Sequence, residues 1–265
     1  MDILKRALAP VSDQAWQEIE AQARNVIVSN LTARKLVDVE GPKGISLGAV
    51  SLGNLKVPKD QKKNQVQYGV HQVLPLVETR ISFRLNIWEL DDIARGSQDV
   101  DLSALEDAAK KIALFEEKAI YNGFPAANIA GLKKACSNKK LACPQNADEA
   151  LSMIPTGLSV LKQSAINGPY VLLINPSTWE AIVGSYNRGY PLKKQLEEMV
   201  EGEIVLCPSI GGMLLASKRG GDFRLTLGLD FSIGYESHDN REVGLFLAES
   251  FTFQVFESAA LVFCQ

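Results

Sequence analysis

Histidine is nearly missing from this chain, and so are the short motifs by which many catalytic sites can be read. Two histidines, His71 and His238, occur in 265 residues. Neither lies near a cysteine or carboxylate pattern that would complete a ligand set, so both read as surface residues and no metal site is expected. There is no G-x-x-x-x-G-K-[ST] and no G-x-G-x-x-G after a strand, which removes the common phosphate and dinucleotide cradles. The glycine pairs at 211–212 and 220–221 read as turn residues. Asp91 and Asp92, like Glu116 and Glu117, are adjacent carboxylates; neighbours in a helix do not face one another, so solvated charge is expected at both pairs. No catalytic residue is assigned, and the chain does not read as an enzyme.

Positive charge is scarce as well. The net charge of -3 lacks the basic excess of a dedicated nucleic-acid binder, and the lysine clusters at 59–63, 133–140 and 193–194 read as solvated faces. No apolar run approaches the roughly 20 residues of a membrane span, so no membrane partner is expected. Residues 1–6 lack the apolar core and cleavage site of a signal peptide, and a cytoplasmic location follows as the expectation. Cysteines 136, 143, 207 and 264 fit no zinc or redox spacing. Cys136 and Cys143 bracket a surface loop where a reversible disulfide is conceivable; free thiols are the expectation in a reducing compartment.

What the chain does contain is ample core-forming material, 46% hydrophobic residues, in patterns that alternate between the helical period and the strand period. Ser12 precedes a helix over 13–30 whose apolar stripe includes Trp16, Ile19, Ala23, Val26 and Ile27. A short strand is expected at 35–39. Residues 45–72 read as a long hairpin with a polar tip at 58–64, and nothing flanking it can cover its apolar face, so a neighbouring copy of the chain is the expected partner. A clean strand follows at 79–87, then a short helix at 88–95 in which Trp88 reads as a core or subunit-contact tryptophan. Ser103 with Glu106 spells a capping box for a long helix over 103–121. Helix and strand then alternate: a helix within 148–166 disturbed by Pro155, a buried strand at 170–174, a glycine-rich loop at 184–191 and a helix at 192–200. The tail, 223–262, is mostly strand and is expected to pair with the early strands. The fold class is α+β, with residues 1–44, 73–129 and 221–265 forming one unit, 45–72 an extended loop and 130–220 an inserted unit.

Several stretches carry a resemblance: residues 1–6 with Ala9 and Pro10; Ala33, Arg34 and Lys35; Val37, Asp38 and Val39; Gly41 to Gly44; the run from Leu85 through Trp88 to Asp91; the segments at 220–223, 227–228 and 232–236; and 249–254. In this order, over essentially the whole chain, they resemble the encapsulin shell proteins, a family formerly labelled linocin or bacteriocin-like. The resemblance implies the tailed-phage major-capsid-protein fold, with a peripheral domain, an axial domain and an extended loop matching the three parts above. It implies a cytoplasmic icosahedral homo-oligomer that encapsulates a cargo enzyme, either a ferritin-like iron-oxidising protein or a dye-decolourising peroxidase, through its C-terminal peptide. It places a cargo-peptide groove at Val26, Ile27, Leu36, Asp38, Asp230, Phe231, Ile233 and Tyr235. Apolar side chains would there receive alternate residues of an extended peptide. A small polar pore for ions is implied at Gly184, Ser185, Tyr186, Asn187, Arg188 and Gly189. No cofactor is required, although a flavin at Trp88 is carried by some members. A prophage capsid protein packaging DNA shares the fold and is the alternative reading.

Overall fold

The computed structural model describes residues 3–62, 65–144, 146–183, 186–187 and 190–265, with the backbone alone for 147, 181–183 and 186–187. Helix α1 (Asp13–Asn30) begins at the expected cap, where Ser12 Oγ accepts the Ala15 amide at 3.2 Å. Ala15, Trp16, Ile19, Ala23 and Ile27 make its buried face. A 3₁₀ turn (Ala33–Lys35) leads to β1 (Asp38–Glu40). The strand expected over 35–39 is thereby shortened, because Leu36 and Val37 donate back to the Ala33 carbonyl. Strands β2 (Ala49–Lys56) and β3 (Val70–Pro75) pair antiparallel as the hairpin. The second arm begins as a strand only at Val70. Across the two arms Leu52, Leu55, Val66, Tyr68 and Val70 stand exposed, as expected for a face without a partner in its own chain.

Strand β4 (Val77–Asn86) runs into helix α2 (Ile87–Ala94), capped by Asn86, and then the long helix α3 (Ser103–Asn122). The capping box does not form: Leu102 holds the cap position, the Ser103 amide donates to Asp101 Oδ1, and Glu106 accepts from Gln22 on α1. Gly123 ends α3 with φ of 89°, and a Cβ there would sit 2.5 Å from the Ala130 carbonyl. Next come α4 (Gly131–Ala135), α5 (Ala147–Gln163), β5 (Tyr170–Ile174), α6 (Pro176–Val183), and the two-residue strands β6 (Tyr186–Asn187) and β7 (Tyr190–Pro191). Pro155 does not break α5, since it sits on the exposed face where water can serve the freed carbonyl. Helix α7 (Leu192–Val200), β8 (Glu203–Leu206) and β9 (Met213–Ser217) close this unit; β10 (Phe223–His238), β11 (Glu242–Val255) and β12 (Leu261–Cys264) end the chain.

Two four-stranded sheets result, ordered β1-β10-β11-β4 and β12-β9-β5-β8. The long tail strands β10 and β11 do return to the early ones, with β11 antiparallel to β4 from Glu242 to Phe251. The last strand does not. Leu261–Cys264 pairs antiparallel with β9 and joins the second sheet, so the expected unit boundary at 221–265 is corrected at its end. The reason is burial: all four residues of β12 and all five of both β5 and β9 are buried, and such continuously apolar strands need cover on both faces. Two hydrophobic clusters follow the sheets, one packing α1, α2 and α3 on the first, the other centred on the second.

Candidate functional site: a groove beside a buried charge cluster

Helix α1 and strand β10 face each other across a groove of about 550 Å³. The α1 side carries Ala23, Ile27 and Leu31, spaced by four so that they fall on one face. The β10 side carries Asp230, Phe231, Ser232 and Ile233. Strand β10 is irregular here, its register against β11 shifting between Leu227 and Leu229 and again before Ser232. Local polar groups hold the bulge: Leu229 donates its amide to Ser250 Oγ, Asp230 Oδ1 accepts the Phe231 amide, and Ser232 Oγ donates to the Asp230 carbonyl. Bulges re-aim side chains, and this one turns Phe231 toward Arg34, whose guanidinium carbon lies 4.9 Å from the ring centre.

Arg34 is the centre of the site, and no motif marked it. Its Nε and Nη2 fork onto Glu116, Nη1 donates to Asp230 Oδ1 at 3.0 Å, and Nη2 also reaches Glu249 Oε1 at 2.8 Å. Glu116 and Glu249 have no exposed side-chain surface. Burial opposes the charge of Arg34, but the bond and attraction of Glu116, with Asp230 and Glu249, hold its pKa above the ordinary value. Burial, then the neighbouring Glu116, push the Glu249 carboxyl far up from its ordinary value. Its oxygen Oε2 is buried with no hydrogen-bond partner among the described residues. Beside this cluster Glu117 is equally buried, accepting the Thr32 hydroxyl and the Ala33 amide at 2.7 Å, and burial raises its pKa to about 7. The Glu116–Glu117 pair, expected in solvent, is therefore corrected: α3 is wrapped on both sides, and each carboxylate has found its own donors. Asp91 and Asp92 do stay at the surface, paired with Arg95.

Of the eight residues expected in a peptide groove, Ile27, Asp230, Phe231 and Ile233 line this one. Leu36 and Asp38 line a second concavity of about 610 Å³, with Lys35, Val37, Glu203 and Lys218. Arg34 lines both and forms the wall between them. Asp38 is already engaged, its Oδ2 accepting the Gly221 amide at 2.6 Å. Val26 and Tyr235 pack at the margin of the α1 cluster, the Tyr235 hydroxyl 2.6 Å from His238 Nδ1. Arg34 and Leu31 were among the omissions, with Ala23, Val28 and Leu247; the spacing of Ala23, Ile27 and Leu31 would have found two of them.

Of the expected pore, Gly184, Ser185, Arg188 and Gly189 lie outside the described residues, while Tyr186–Asn187 pairs with Tyr190–Pro191 in a tight ladder. Trp88 is not a core residue. It opens α2, its amide bonded to Asn86 Oδ1, with its side chain 70% exposed. The letters Gly44, Ser46 and Gly48 match a G-x-S-x-G nucleophile elbow, but they lie in the turn before β2, without the strand-turn-helix context or a histidine beside them. No disulfide joins the four cysteines, all of them among the described residues. Among the described residues no cluster of His, Cys, Asp or Glu is arranged to hold a metal, and no helix is long and apolar enough to cross a membrane.

A family model, Linocin_M18, described as encapsulating protein for peroxidase, matches residues 1–252. A type 1 encapsulin shell protein of Rhodococcus erythropolis is 40% identical over 262 residues, covering 99% of both chains. Those of Mycobacterium tuberculosis and Brevibacterium linens are 38% and 39% identical, over 99% and 96% of this chain and 98% and 95% of theirs. Among solved structures, the virus-like particle of Pyrococcus furiosus superposes with a TM-score of 0.68 at 18% identity, covering 94% of this chain and 98% of that one. The capsid of the Myoviridae phage XM1 gives 0.56 at 11% identity, over 87% and 90% of the two chains. At such identities the likeness shows the fold, while the closer sequence relatives are structural shell proteins and not enzymes. The chain belongs to the encapsulin shell-protein family and is built on the fold of phage capsid proteins.

Proposed function

We propose that this shell protein closes into an icosahedral cytoplasmic compartment whose inner groove, between α1 and β10, takes the extended C-terminal peptide of a cargo enzyme. The observation that carries this reading is the groove itself, a trough with apolar residues such as Ile27, Leu31 and Phe231 and charged ones such as Arg24 and Asp230 in its walls, beside a strand edge that β1 leaves uncovered past Thr226. Such an edge suits strand addition, with main-chain bonds for affinity and pockets for alternate side chains. A peroxidase is the favoured cargo class, since the matching family model is described as encapsulating one; a ferritin-like iron-oxidising protein is the other. Phe231→Asp places a charge in the trough and is expected to abolish cargo loading while negative-stain images still show closed shells. Normal loading by this variant overturns the assignment.

Ions and small molecules would enter through the loop at 184–191, and Arg188→Glu should then change the rate of ion uptake by intact shells; an unchanged rate removes the pore role. Trp88 offers a planar face to a flavin ring. Arg80 lies over Phe246 at 4.1 Å and Arg84 pairs with Asp239 and Glu242, so neither cation is committed to a flavin phosphate. Stacking alone would give weak occupancy, read as flavin fluorescence in purified shells that Trp88→Ala eliminates.

A further inference from the structure

The chain's own N-terminal segment sits where an incoming extended peptide would need to lie. Strand β10 is covered along one edge by β11, but on its other edge β1 reaches only from Arg224 to Thr226. The Lys43 and Gly44 amides extend that cover to the carbonyls of Leu227 and Gly228, at 3.0 and 2.7 Å. Further along, beside the groove, the Tyr235 amide donates to the Leu4 carbonyl at 2.7 Å. Leu4 and Arg6 also line the groove, so the segment meets both things a strand-adding peptide would use, an edge amide and the trough.

Its fastening is superficial. Arg6 pairs with Glu20 on α1 at 2.5 Å, with the two side chains 34% and 49% exposed, and its guanidinium carbon lies 4.3 Å from the Trp16 ring centre. The 3₁₀ turn Arg6–Leu8 buries no residue. Lys5, between the edge bond and the ion pair, has φ of 48°, a left-handed conformation that a residue with a side chain keeps only while flanking contacts impose it. Half-exposed ion pairs contribute little, so the segment can leave at small cost.

We propose that residues 3–8 form a displaceable strap that occupies the β10 edge in the empty shell and yields it to the cargo peptide. Displacement presupposes that the groove takes an extended peptide, as proposed above. A competing strap lowers apparent affinity in proportion to the time it is closed. A fixed wall of the site would have the opposite effect, because loosening it would weaken binding.

Three shells distinguish these: the unaltered protein, Arg6→Glu, and Arg6→Glu with Glu20→Arg, which rebuilds the ion pair in reverse. The probe is a fluorescein-labelled peptide alternating leucine with serine, followed by anisotropy, with backbone hydrogen exchange around Tyr235 measured on the same shells without peptide. Arg6→Glu should bind the probe about fivefold tighter and exchange the Tyr235 amide faster, and the double variant should reverse both changes. Equal or weaker binding by Arg6→Glu overturns the strap. If the probe binds none of the three, the peptide-site reading falls, and unchanged exchange in Arg6→Glu overturns the strap independently.

Discussion

The cores under the two sheets are built on opposite principles. The second sheet, β12-β9-β5-β8, is packed with residues such as Leu172, Leu214 and Val262, each with no exposed surface. The first carries Arg34, Glu116 and Glu249 in its interior and Glu117 next to them. A dry core owes its stability to burying apolar area and filling space. A charged interior has to satisfy every donor and acceptor, and gains little net stability when it succeeds. The charged interior lies directly behind the groove, and the dry one does not. Buried charge here holds Asp230 and Phe231 in place at the groove wall, a positional role that apolar packing would fill less specifically.

The sharpest way to break this contrast is Arg34→Met, which strands two buried carboxyl groups without their cation. A loss of about 3–5 kcal/mol is expected from the urea unfolding midpoint. Adding Glu116→Gln should recover part of that loss, because the two changes share one network and are not additive. Full additivity would show that the cluster is not a unit.

In the dry core, Leu172→Ala should cost about 2–5 kcal/mol by leaving a cavity, and no second substitution of a polar partner should rescue it. Rescue of that kind would erase the distinction between the cores.

A smaller effect is expected in pH dependence. Glu117 titrates near 7 in the folded chain against an ordinary 4.5, burial being the main cause. Between those values the folded state holds a proton that the unfolded state has lost. Stability from this group is therefore full below 4.5 and falls as pH rises toward 7, by at most about 1.4 kcal/mol per pH unit. Glu249 acts in the same direction. Unfolding midpoints measured across this range should fall with pH, and Glu117→Gln should flatten the slope; an unchanged slope would remove Glu117 as its source. Smallest of all, Asp92→Asn should leave the midpoint where it was, since its pair with Arg95 is solvent-exposed.

Much of this architecture is legible in the sequence. The α1 cap at Ser12, the apolar stripes of α1 and α3, the exposed hairpin and the buried strand at Tyr170–Ile174 all rest on local periodicity, which the chain carries in its own order. The groove was half legible: Ile27, Asp230, Phe231 and Ile233 came through the family resemblance as groove residues, whereas Arg34 stood in a resembling stretch with no role attached. Its partners lie 82, 196 and 215 positions away, beyond any spacing rule.

By itself, then, the sequence determined which stretches form the main helices and strands, that no phosphate or dinucleotide cradle is present, and that one hairpin lacks cover within its own chain. Only the tertiary structure decided that β12 joins the second sheet, that Ser103 does not cap α3, and that Glu116 and Glu117 are inside. Each of those outcomes depends on a partner far away in sequence. An adjacent pair of glutamates reads as solvated until α3 is enclosed, and it can be enclosed only because Arg34, Thr32 and the Ala33 amide arrive from the other end of α1 to meet it.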